Sequence, residues 1–404
     1  MNQYIKYIVF VIFVMLQTYM FGIVSLPKSL VKTISFSILA IAVFASNYKE
    51  GYYKKPFVWL LISCAINMIW CYICRSQTPL EYITGNEFTN MMCICTLFAV
   101  PFFGVSNEKI EKALETVAIV CMGIYLVQYI LQIPITTDLQ SIEERGQELR
   151  LRINGQCLFF LMFFKSLGIL TNRLSIKYVA ILIASFLCII IIGFRSHMPV
   201  LVLASFIFLW KSMKMKLSNK TVFSVIFLSI IVFAVAQTPI VRYKIDQMIE
   251  RNENSNFQND DYVRYAAFYY YTEELPESVG DKIFGVGLPN AKSTYGSFIQ
   301  DVVKEQYRLV WADWGLIGLS WMLGIPAVLC IIWYSLMAFL TPVDRDKSYL
   351  CYFFLFMLFA SFLTREIYRE GAFPIQGIVL YLIAQYRIDN AKFSLRRLWT
   401  KRIE

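Results

Sequence analysis

Three arginines stand beside long apolar segments, where a charged side chain is costly unless it has a partner or a function. Arg152 comes just before one apolar segment, Arg195 lies in a short connection between two others, and Arg264 lies within a long polar insertion. A guanidinium donates a planar fork of hydrogen bonds to phosphate oxygens and stays charged at any relevant pH, so three of them would suit a diphosphate group. The alternative is structural: each arginine anchors a helix end at lipid headgroups or pairs with a nearby carboxylate.

Groups that could transfer a proton are less distinctive. His197 is the only histidine and closely follows Arg195. Because imidazole titrates near neutral pH, His197 is a candidate general base, although a cap at a helix end is the simpler explanation. A carboxylate could take the same role, and the sequence does not single one out. Those expected on the same side of the protein as the arginines are Asp260, Asp261, Asp301, Glu305, Asp313, Glu366 and Glu370.

The chain offers few ligands for a metal or a cofactor. Its ten cysteines lie mostly in or beside apolar segments, where cysteine behaves as a small buried hydrophobe. A single histidine leaves the cysteine pairs at 71 and 74 and at 93 and 95 without the partners of a zinc-type site. The Phe-Gly-Val-Gly run at 284–287 is too short for a nucleotide fingerprint and predicts a tight turn or a close backbone approach. We therefore expect no metal and no cofactor.

The elements that must position these residues are apolar helices. Of the 404 residues, 58% are hydrophobic and only 16% are charged, and the mean hydropathy is +0.55, too apolar for a soluble multidomain protein. Apolar runs near the length that crosses a bilayer, roughly 17 to 25 residues, recur about twelve times. The sequence therefore predicts an all-α polytopic membrane protein. Its predicted spans are 4–24, 30–46, 57–73, 88–103, 113–133, 156–170, 176–192, 199–210, 221–237, 309–340, 348–363 and 372–386.

A polar insertion, 238–308, interrupts the apolar pattern between the ninth and tenth spans. It divides the chain into nine spans over 1–237, one large loop over 238–308, and three spans with a basic tail over 309–404. Inside the loop, a run with the periodicity of an amphipathic helix follows Arg264. Two glycines at the start of the tenth span, Gly315 and Gly318, suit close helix packing.

Basic residues predict the orientation of the spans, because cytoplasmic loops retain lysine and arginine during insertion. With the N-terminus inside, about twenty of these residues fall in cytoplasmic segments and about nine in short outer loops. Both termini are then cytoplasmic, and the first span is an uncleaved helix. The outer face receives the large loop, the Arg195 connection, the turn 365–370 and the stretch 136–155. The net charge of +10 is then an orientation signal and an anionic-lipid contact of the tail, not a nucleic-acid patch.

The order of these features resembles the superfamily of O-antigen polymerases and O-antigen ligases, the Wzy-type integral membrane glycan polymerases and their relatives. The stretch Arg152-Ile153-Asn154-Gly155 resembles the family's Arg-x-x-Gly before a mid-chain helix. The stretch Phe194-Arg195-Ser196 resembles its short outer turn. Arg264, followed by a helix and the glycines at 285 and 287, resembles its loop pattern.

A fourth match lies at the end of the loop. The stretch Lys304-Glu305-Gln306-Tyr307, an acidic residue at Asp313 and the Gly-x-x-Gly at 315–318 resemble the family's His-Asn-x-Tyr, acidic residue and Gly-x-x-Gly. Lys304 stands in the place of the histidine that is proposed as the family's base. The role of the base would then pass to Glu305, Asp301 or His197, or the mechanism would rely mainly on a diphosphate held by the arginines.

The resemblance implies a lipid-linked glycosyltransferase of GT-C-like architecture at the outer face of a bacterial inner membrane, without metal, cofactor or nucleotide sugar. The donor would be a glycan on undecaprenyl diphosphate and the acceptor another lipid-linked repeat unit. The bilayer and a chain-length regulator protein would be further partners. The roles it implies are catalysis by Glu305, Lys304 and His197, diphosphate binding by Arg152, Arg195 and Arg264, and acceptor-glycan binding by Asp260, Asp261 and Tyr307.

Two other functions stay open on the sequence alone. An O-antigen ligase would transfer the glycan to a lipid or protein anchor. A flippase would move a lipid-linked oligosaccharide across the membrane without forming a bond. The single large outer loop and the absence of two matching halves count against a transporter, and Lys304 in place of the histidine favours polymerase over ligase.

Overall fold

Helices make up most of the described protein. The computed structural model describes residues 2–18, 28–46, 51–131, 143–145, 148–150, 153–192, 197–212, 260–362 and 364–403. The helices of the first half are α1 (Gln3–Gln17), α2 (Lys28–Ala45), α3 (Lys54–Arg75), α4 (Pro79–Thr84), α5 (Asn86–Met92), α6 (Thr96–Ala99), α7 (Asn107–Leu131), α8 (Cys157–Leu170), α9 (Ile176–Ile192) and α10 (His197–Ser212), with 3-10 turns at Cys93–Cys95 and Val100–Phe103.

The second half contains the described part of the insertion and the C-terminal helices. Its helices are α11 (Asp260–Tyr269), α12 (Val279–Phe284), α13 (Thr294–Ser297), α14 (Gly315–Leu323), α15 (Ile325–Leu340), α16 (Tyr349–Ala360) and α17 (Ala372–Ile403). Wider π-helical turns occur at Tyr270–Glu274 and Phe298–Gln306, and 3-10 turns at Trp311–Trp314, Arg345–Lys347 and Glu366–Tyr368.

A short β-hairpin interrupts the helical pattern within the predicted polar stretch 136–155. Strand β1 (Glu143–Arg145) pairs antiparallel with β2 (Glu148–Arg150). The register places Glu143 opposite Arg150 and Arg145 opposite Glu148, so residue types of opposite charge occupy facing positions. The hydropathy pattern predicted a polar connection here, and the hairpin is a finding of the structure.

Two of the predicted spans are not continuous helices. The segment 309–340 forms a 3-10 turn followed by α14 and α15, which meet at Gly324 with a φ of 91°. A Cβ at Gly324 would lie 2.5 Å from the Phe284 carbonyl oxygen, so the break allows the insertion to pack against it. The segment 88–103 is divided among α5, α6 and two 3-10 turns. Hydropathy records that these runs are apolar, but not where their helices break.

Two described helices, α3 and α7, are long and apolar enough to cross a bilayer, and six other described helices are apolar but shorter. Three helices form the interior: α8, α16 and the first part of α17 bury nearly all their side chains. A helix that is apolar on every side belongs in the interior of a bundle. The surrounding helices α1, α3, α7 and α10 bury one face and expose the other.

The opening turns of α7 carry two buried carboxylates, Glu111 and Glu115, which gather side chains from other helices. Burying a carboxylate is costly unless donors pair with it, and both have several. The last turns of α8, the first turn of α9 and the start of α16 therefore meet at one end of the bundle. The partners of Glu111 are Lys347, Tyr349 and Tyr386, and those of Glu115 are Lys165, Lys177 and Tyr178.

The polar insertion is fastened to the last turns of α3. Arg75 Nη2 donates to the Leu275 carbonyl oxygen at 2.7 Å and to Asp281 Oδ2 at 3.2 Å. Its Nη1 binds the carboxylate of Glu277. Trp70 Nε1 donates to the other oxygen of Asp281 at 2.7 Å. Because Asp281 is buried, its charge depends on these donors.

We expect Arg75→Ala to lower the free energy of unfolding by about 1–3 kcal/mol, because the buried Asp281 carboxylate loses a charged donor. Thermal unfolding in detergent and the rate of proteolysis within 260–308 measure the effect. Lys282→Ala removes only an exposed bridge to Glu273 and is the matched control. The control should change stability by less than about 0.5 kcal/mol. Proteolysis of Arg75→Ala at the rate of the unaltered protein would contradict the expectation.

The glycines at 285 and 287 confirm the structural reading of their motif. Gly285 and Gly287 have φ values of 80° and 99°. A Cβ at Gly287 would lie 2.1 Å from Cys71 Sγ, and one at Gly285 would lie 2.4 Å from the Gly324 nitrogen. The two residues bring the insertion backbone into direct contact with α3 and with the break between α14 and α15.

Candidate functional site

The turn between α16 and α17 carries a buried cluster of charged and polar side chains. Glu366 is fully buried, and its Oε1 accepts a hydrogen bond from Arg369 Nη2 at 2.5 Å. The same carboxylate lies 3.3 Å from His197 Nε2, and its Oε2 accepts from Gln156 Nε2 at 2.9 Å. Thr364 Oγ1 lies 3.5 Å from the His197 ring nitrogen. We call these five residues the Glu366 cluster.

The backbone around the cluster is held by neighbouring segments. The Ile367 N–H donates to Ser361 Oγ at 2.8 Å, and Gln376 Nε2 donates to the Ile367 carbonyl at 2.6 Å. The Gly155 N–H donates to the Glu370 carbonyl at 3.3 Å. Because these bonds come from α16, α17 and the residues before α8, the turn has one defined position.

The Glu366 carboxylate is held in its ionised form. Burial alone would raise its pKa, but the charge of Arg369 and the contact with His197 outweigh burial and hold the pKa well below its ordinary range. A carboxylate with a lowered pKa is ionised at neutral pH, so Glu366 can hold its basic and amide neighbours in place. This role is structural, and the sequence alone did not separate Glu366 from the other outer carboxylates.

His197 is fully buried, and two phenylalanines enclose its ring. The ring centroids of Phe160 and Phe356 lie 5.4 Å and 6.1 Å from that of His197. In this arrangement the imidazole faces a carboxylate inside the protein. Its predicted role as a general base stays a prediction, and the site that it occupies in the described structure is an interior one.

Two of the three predicted diphosphate-binding residues, Arg152 and Arg195, lie outside the described residues. Their neighbours along the chain are described, and they converge. Gln156, which closely follows the Arg152 motif, binds the Glu366 carboxylate, and His197, two residues after Arg195, binds the same carboxylate. The structure thus joins the flanks of both motifs at one side chain.

Arg264 is exposed on α11, and no described contact joins it to the Glu366 cluster. Its carbonyl oxygen accepts from Trp314 Nε1 at 3.1 Å, and Phe268 of the same helix packs against Trp314 with ring centroids 5.0 Å apart. Trp314 precedes Gly315, which contacts the turn that carries Glu366. The predicted pocket shared by all three arginines therefore stays a prediction.

The other predicted residues lie at the surface or outside the described part of the chain. Lys304, Glu305 and Tyr307 are exposed at the end of the π-helical turn. The side chains of Asp260 and Asp261, at the start of α11, lie outside the described residues. No described contact brings either group to the Glu366 cluster.

A second acidic position, Glu87 on α5, lies close to the turn and was not predicted as a site residue. Glu87 lines a cavity of about 10 Å³ with Met91, Leu288, Leu319, Tyr368 and Phe373. Burial raises the pKa of Glu87, and the charge of Arg365 lowers it in part. Nothing in the sequence marked Glu87, because it stands singly at the start of an apolar run. The charges that act on it belong to Arg365, Glu370, Lys32 and Lys304.

The cysteines match the reading of them as small buried side chains. All ten have free thiols, and all but Cys74 and Cys95 are buried. Within the described ranges, no group of three His, Cys, Asp or Glu side chains is arranged to hold a metal ion.

No protein-family model matches the sequence, and no curated protein matches it significantly. The family resemblance therefore rests on the short motifs and their order along the chain.

Proposed function

We propose that this protein is an integral membrane glycan polymerase that transfers an undecaprenyl-diphosphate-linked glycan onto a lipid-linked repeat unit. One observation carries the proposal: Gln156 and His197, which adjoin the Arg152 and Arg195 motifs, bind the same buried carboxylate of Glu366. Described residues that lie beside two distant motifs of the resemblance thus bind one side chain at the same end of the bundle. A diphosphate site that uses both arginines requires the Arg152 and Arg195 motifs to lie close together.

Exposed apolar faces support the membrane setting. One side of α3 presents Trp59, Ile62, Ile66 and Ile73 to the surroundings, although other residues of the helix are buried. Contiguous apolar surface of this kind is unfavourable in water and suits the hydrocarbon of a bilayer. We propose twelve spans with one large outer loop, in a bacterial inner membrane with both termini in the cytoplasm.

The two polar ends of the bundle support the proposed orientation. The cluster around Glu111 and Glu115 contains Lys177 and Lys347, which belong to segments that the charge bias assigns to the cytoplasm. The Glu366 cluster unites segments that the same bias assigns to the outer face. A helix such as α7, with 25 residues, is about 37 Å long at about 1.5 Å per residue and can separate two such ends across a bilayer.

The proposed chemistry needs charge stabilisation more than a cofactor. As the glycosidic bond to the lipid diphosphate breaks, negative charge grows on the departing diphosphate, and nearby guanidinium groups stabilise that charge. A base removes the proton of the acceptor hydroxyl as its oxygen attacks the anomeric carbon. In this mechanism, the departing diphosphate is bound and stabilised by Arg152, Arg195 and Arg264.

We expect Arg195→Ala and Arg264→Ala each to lower polymer formation at least about 100-fold, because each removes a charged donor to the leaving group. The measurement is surface polymer in a strain whose only copy of this protein carries the substitution. Arg173→Ala is the control, since Arg173 is exposed at the opposite end of the bundle and should leave polymer unchanged. Polymer of ordinary length and amount in both arginine variants would overturn the proposal.

A flippase is the second candidate, and one observation favours it. Lys165 and Glu115 form a buried ion pair between α8 and α7, and buried charges between apolar helices often mark a transport path. Purified protein with lipid-linked repeat units separates the functions. A ladder of products indicates a polymerase, and transfer of a single unit to a lipid or protein anchor indicates a ligase. Translocation in vesicles without a new bond indicates a flippase.

A further inference from the structure

The polar insertion does not stop at the outer end of α3 but follows that helix inward. The Phe284 carbonyl oxygen, at the end of α12, accepts a hydrogen bond from Asn67 Nδ2 at 2.5 Å. The ring of Phe284 lies 5.6 Å from that of Trp70. Asn67 precedes Arg75, the last residue of α3, by about 12 Å along the helix axis at about 1.5 Å per residue. The end of α12 therefore lies beside the interior of α3 and not beyond its end.

This level falls within the exposed apolar face of α3. Exposed isoleucines occur on both sides of it, at Ile66 toward the middle of the helix and at Ile73 toward its end. In the proposed membrane setting these side chains contact hydrocarbon, because contiguous apolar surface is unfavourable in water. The Phe284 carbonyl then lies at a depth where lipid surrounds the bundle.

The backbone that follows α12 is not helical, yet its polar groups pair with protein. The Val286 N–H donates to the Trp321 carbonyl at 2.8 Å. The Gly287 N–H donates to the Met322 carbonyl at 2.9 Å. Non-helical backbone is tolerated at membrane depth only where protein groups replace the hydrogen bonds of water. This part of the insertion meets that condition.

One side of α12 packs on α3, and the other side is apolar and exposed. A Cβ at Gly280 would lie 2.2 Å from Trp70 Cζ2, so the helix backbone is in direct contact with α3. Val279 and Ile283, one helical turn apart, are 73% and 42% exposed. The two apolar side chains therefore project from a helix that lies beside the lipid-facing part of α3.

Helix α11 packs on α14 in a similar way. The ring centroid of Phe268 lies 5.0 Å from that of Trp314 and 5.6 Å from that of Trp321. The two tryptophans are about 10 Å apart along a helix axis, so α11 covers the outer turns of the predicted tenth span. Tyr265 and Tyr269, one turn apart on α11, are 69% and 51% exposed.

We infer that α11 and α12 lie in the outer leaflet of the bilayer. The side chains in contact with lipid are Tyr265, Tyr269, Val279 and Ile283. Lipid is the occupant because both helices pack on predicted membrane-spanning helices whose own exposed faces are apolar, at Ile66 of α3 and Ile317 of α14, and they continue that surface. Tyrosine suits the headgroup level, since its ring is apolar and its hydroxyl is polar.

The inference rests on the membrane setting of the proposed function and gives the insertion an interfacial position. This position brings Arg264 to the level of the lipid phosphates. The carbonyl of Arg264 accepts from Trp314 Nε1 at the start of α14, and its side chain is exposed. A guanidinium at this level meets phosphate oxygens, the groups that a lipid-linked diphosphate carries. The insertion then receives its substrate from the leaflet and not from the aqueous phase.

Nitroxide labels report the surroundings of each side chain. The full-length variants Tyr265→Cys, Tyr269→Cys, Val279→Cys and Ile283→Cys are labelled and reconstituted in vesicles of phosphatidylethanolamine and phosphatidylglycerol. Oxygen concentrates in hydrocarbon, whereas a polar nickel chelate stays in water. We expect the ratio of oxygen to nickel accessibility at these positions to exceed that of the controls at least about five-fold. The controls are Glu274→Cys and Lys292→Cys, exposed polar positions of the same insertion, and the labelled unaltered protein gives the background of the native cysteines.

A label at Ile66→Cys on α3 tests the membrane setting separately. If Ile66→Cys reports lipid and the four insertion positions report water, the inference is wrong, whereas the proposed function stands. If Ile66→Cys itself reports water, the membrane setting fails and the proposed function fails with it. Low accessibility of the four positions to both reagents would show that protein covers them, for example a second copy of this chain, and would also overturn the inference.

Discussion

Glu366→Ala is expected to lower the free energy of unfolding by about 3–5 kcal/mol, because removing one partner of a buried ionic cluster leaves the others uncompensated. Arg369 and His197 would lose the carboxylate that they share, and Gln156 would lose its acceptor. The loss should also abolish polymer formation, since the turn orients the segments that carry two of the predicted diphosphate ligands. Thermal unfolding of the purified protein in detergent measures the first effect and surface polymer the second.

Two comparisons make this expectation specific. Glu274→Ala removes an exposed carboxylate and should cost less than about 0.5 kcal/mol. Glu366→Gln keeps the shape of the side chain and should cost less than Glu366→Ala. Unfolding of Glu366→Ala at the temperature of the unaltered protein would show that the cluster contributes nothing to stability.

The same carboxylate predicts a dependence on pH. Its pKa is lowered in the folded state, so its contribution to stability is present above the unfolded value of about 4.3 and is lost as the pH falls below it toward the folded value. The difference in melting temperature between the unaltered protein and Glu366→Gln should therefore shrink between about pH 6 and about pH 3. A difference that stays constant over this range would contradict the ionised state of Glu366.

Gly315→Ala is expected to lower the free energy of unfolding by about 2–5 kcal/mol, from the left-handed backbone and the overpacked contact together. Gly315 has a φ of 54°, and a Cβ there would lie 2.1 Å from the Ser361 carbonyl oxygen and 2.7 Å from that of Thr364. The adjoining Leu316 N–H donates to the Ser361 carbonyl at 2.7 Å, a bond that the substitution would displace. The turn that carries Glu366 would shift with it, so polymer formation should also fall.

A second glycine provides the matched control. Gly123 lies within α7, and a Cβ there would meet nothing within 4 Å. Gly123→Ala should therefore stabilise the protein by about 0.5–1 kcal/mol, since alanine loses less conformational freedom in a helix. Thermal unfolding of the two variants under identical conditions gives the comparison. If Gly315→Ala lowers the free energy of unfolding by less than about 1 kcal/mol, the contact between Gly315 and the turn is loose.

The sequence predicted the local features of this protein well. Long apolar runs predicted helices, because a continuous apolar segment satisfies its own backbone hydrogen bonds only in a helix. The glycine pair at 285 and 287 predicted a close backbone approach, and the structure shows one against Cys71 and Gly324. The cysteines were predicted as buried small side chains, and most of them are.

Helix continuity could not be predicted from the sequence. The run 309–340 is apolar throughout, yet it breaks at Gly324, where the carbonyl of Phe284 approaches from the distant insertion. Hydropathy sums the character of residues along a segment. A break that depends on contact with another part of the chain leaves no periodic signal within the segment itself.

The candidate site likewise has features that the sequence shows and features that only the structure shows. The sequence by itself determined which residue types are present and that their turns alternate with apolar helices. Only the tertiary structure decided that Gln156, His197 and Arg369 share the carboxylate of Glu366, and that Glu87 borders a small cavity beside the same turn. Burial and distance set the charge of a carboxylate, and both depend on residues that are far away in the chain.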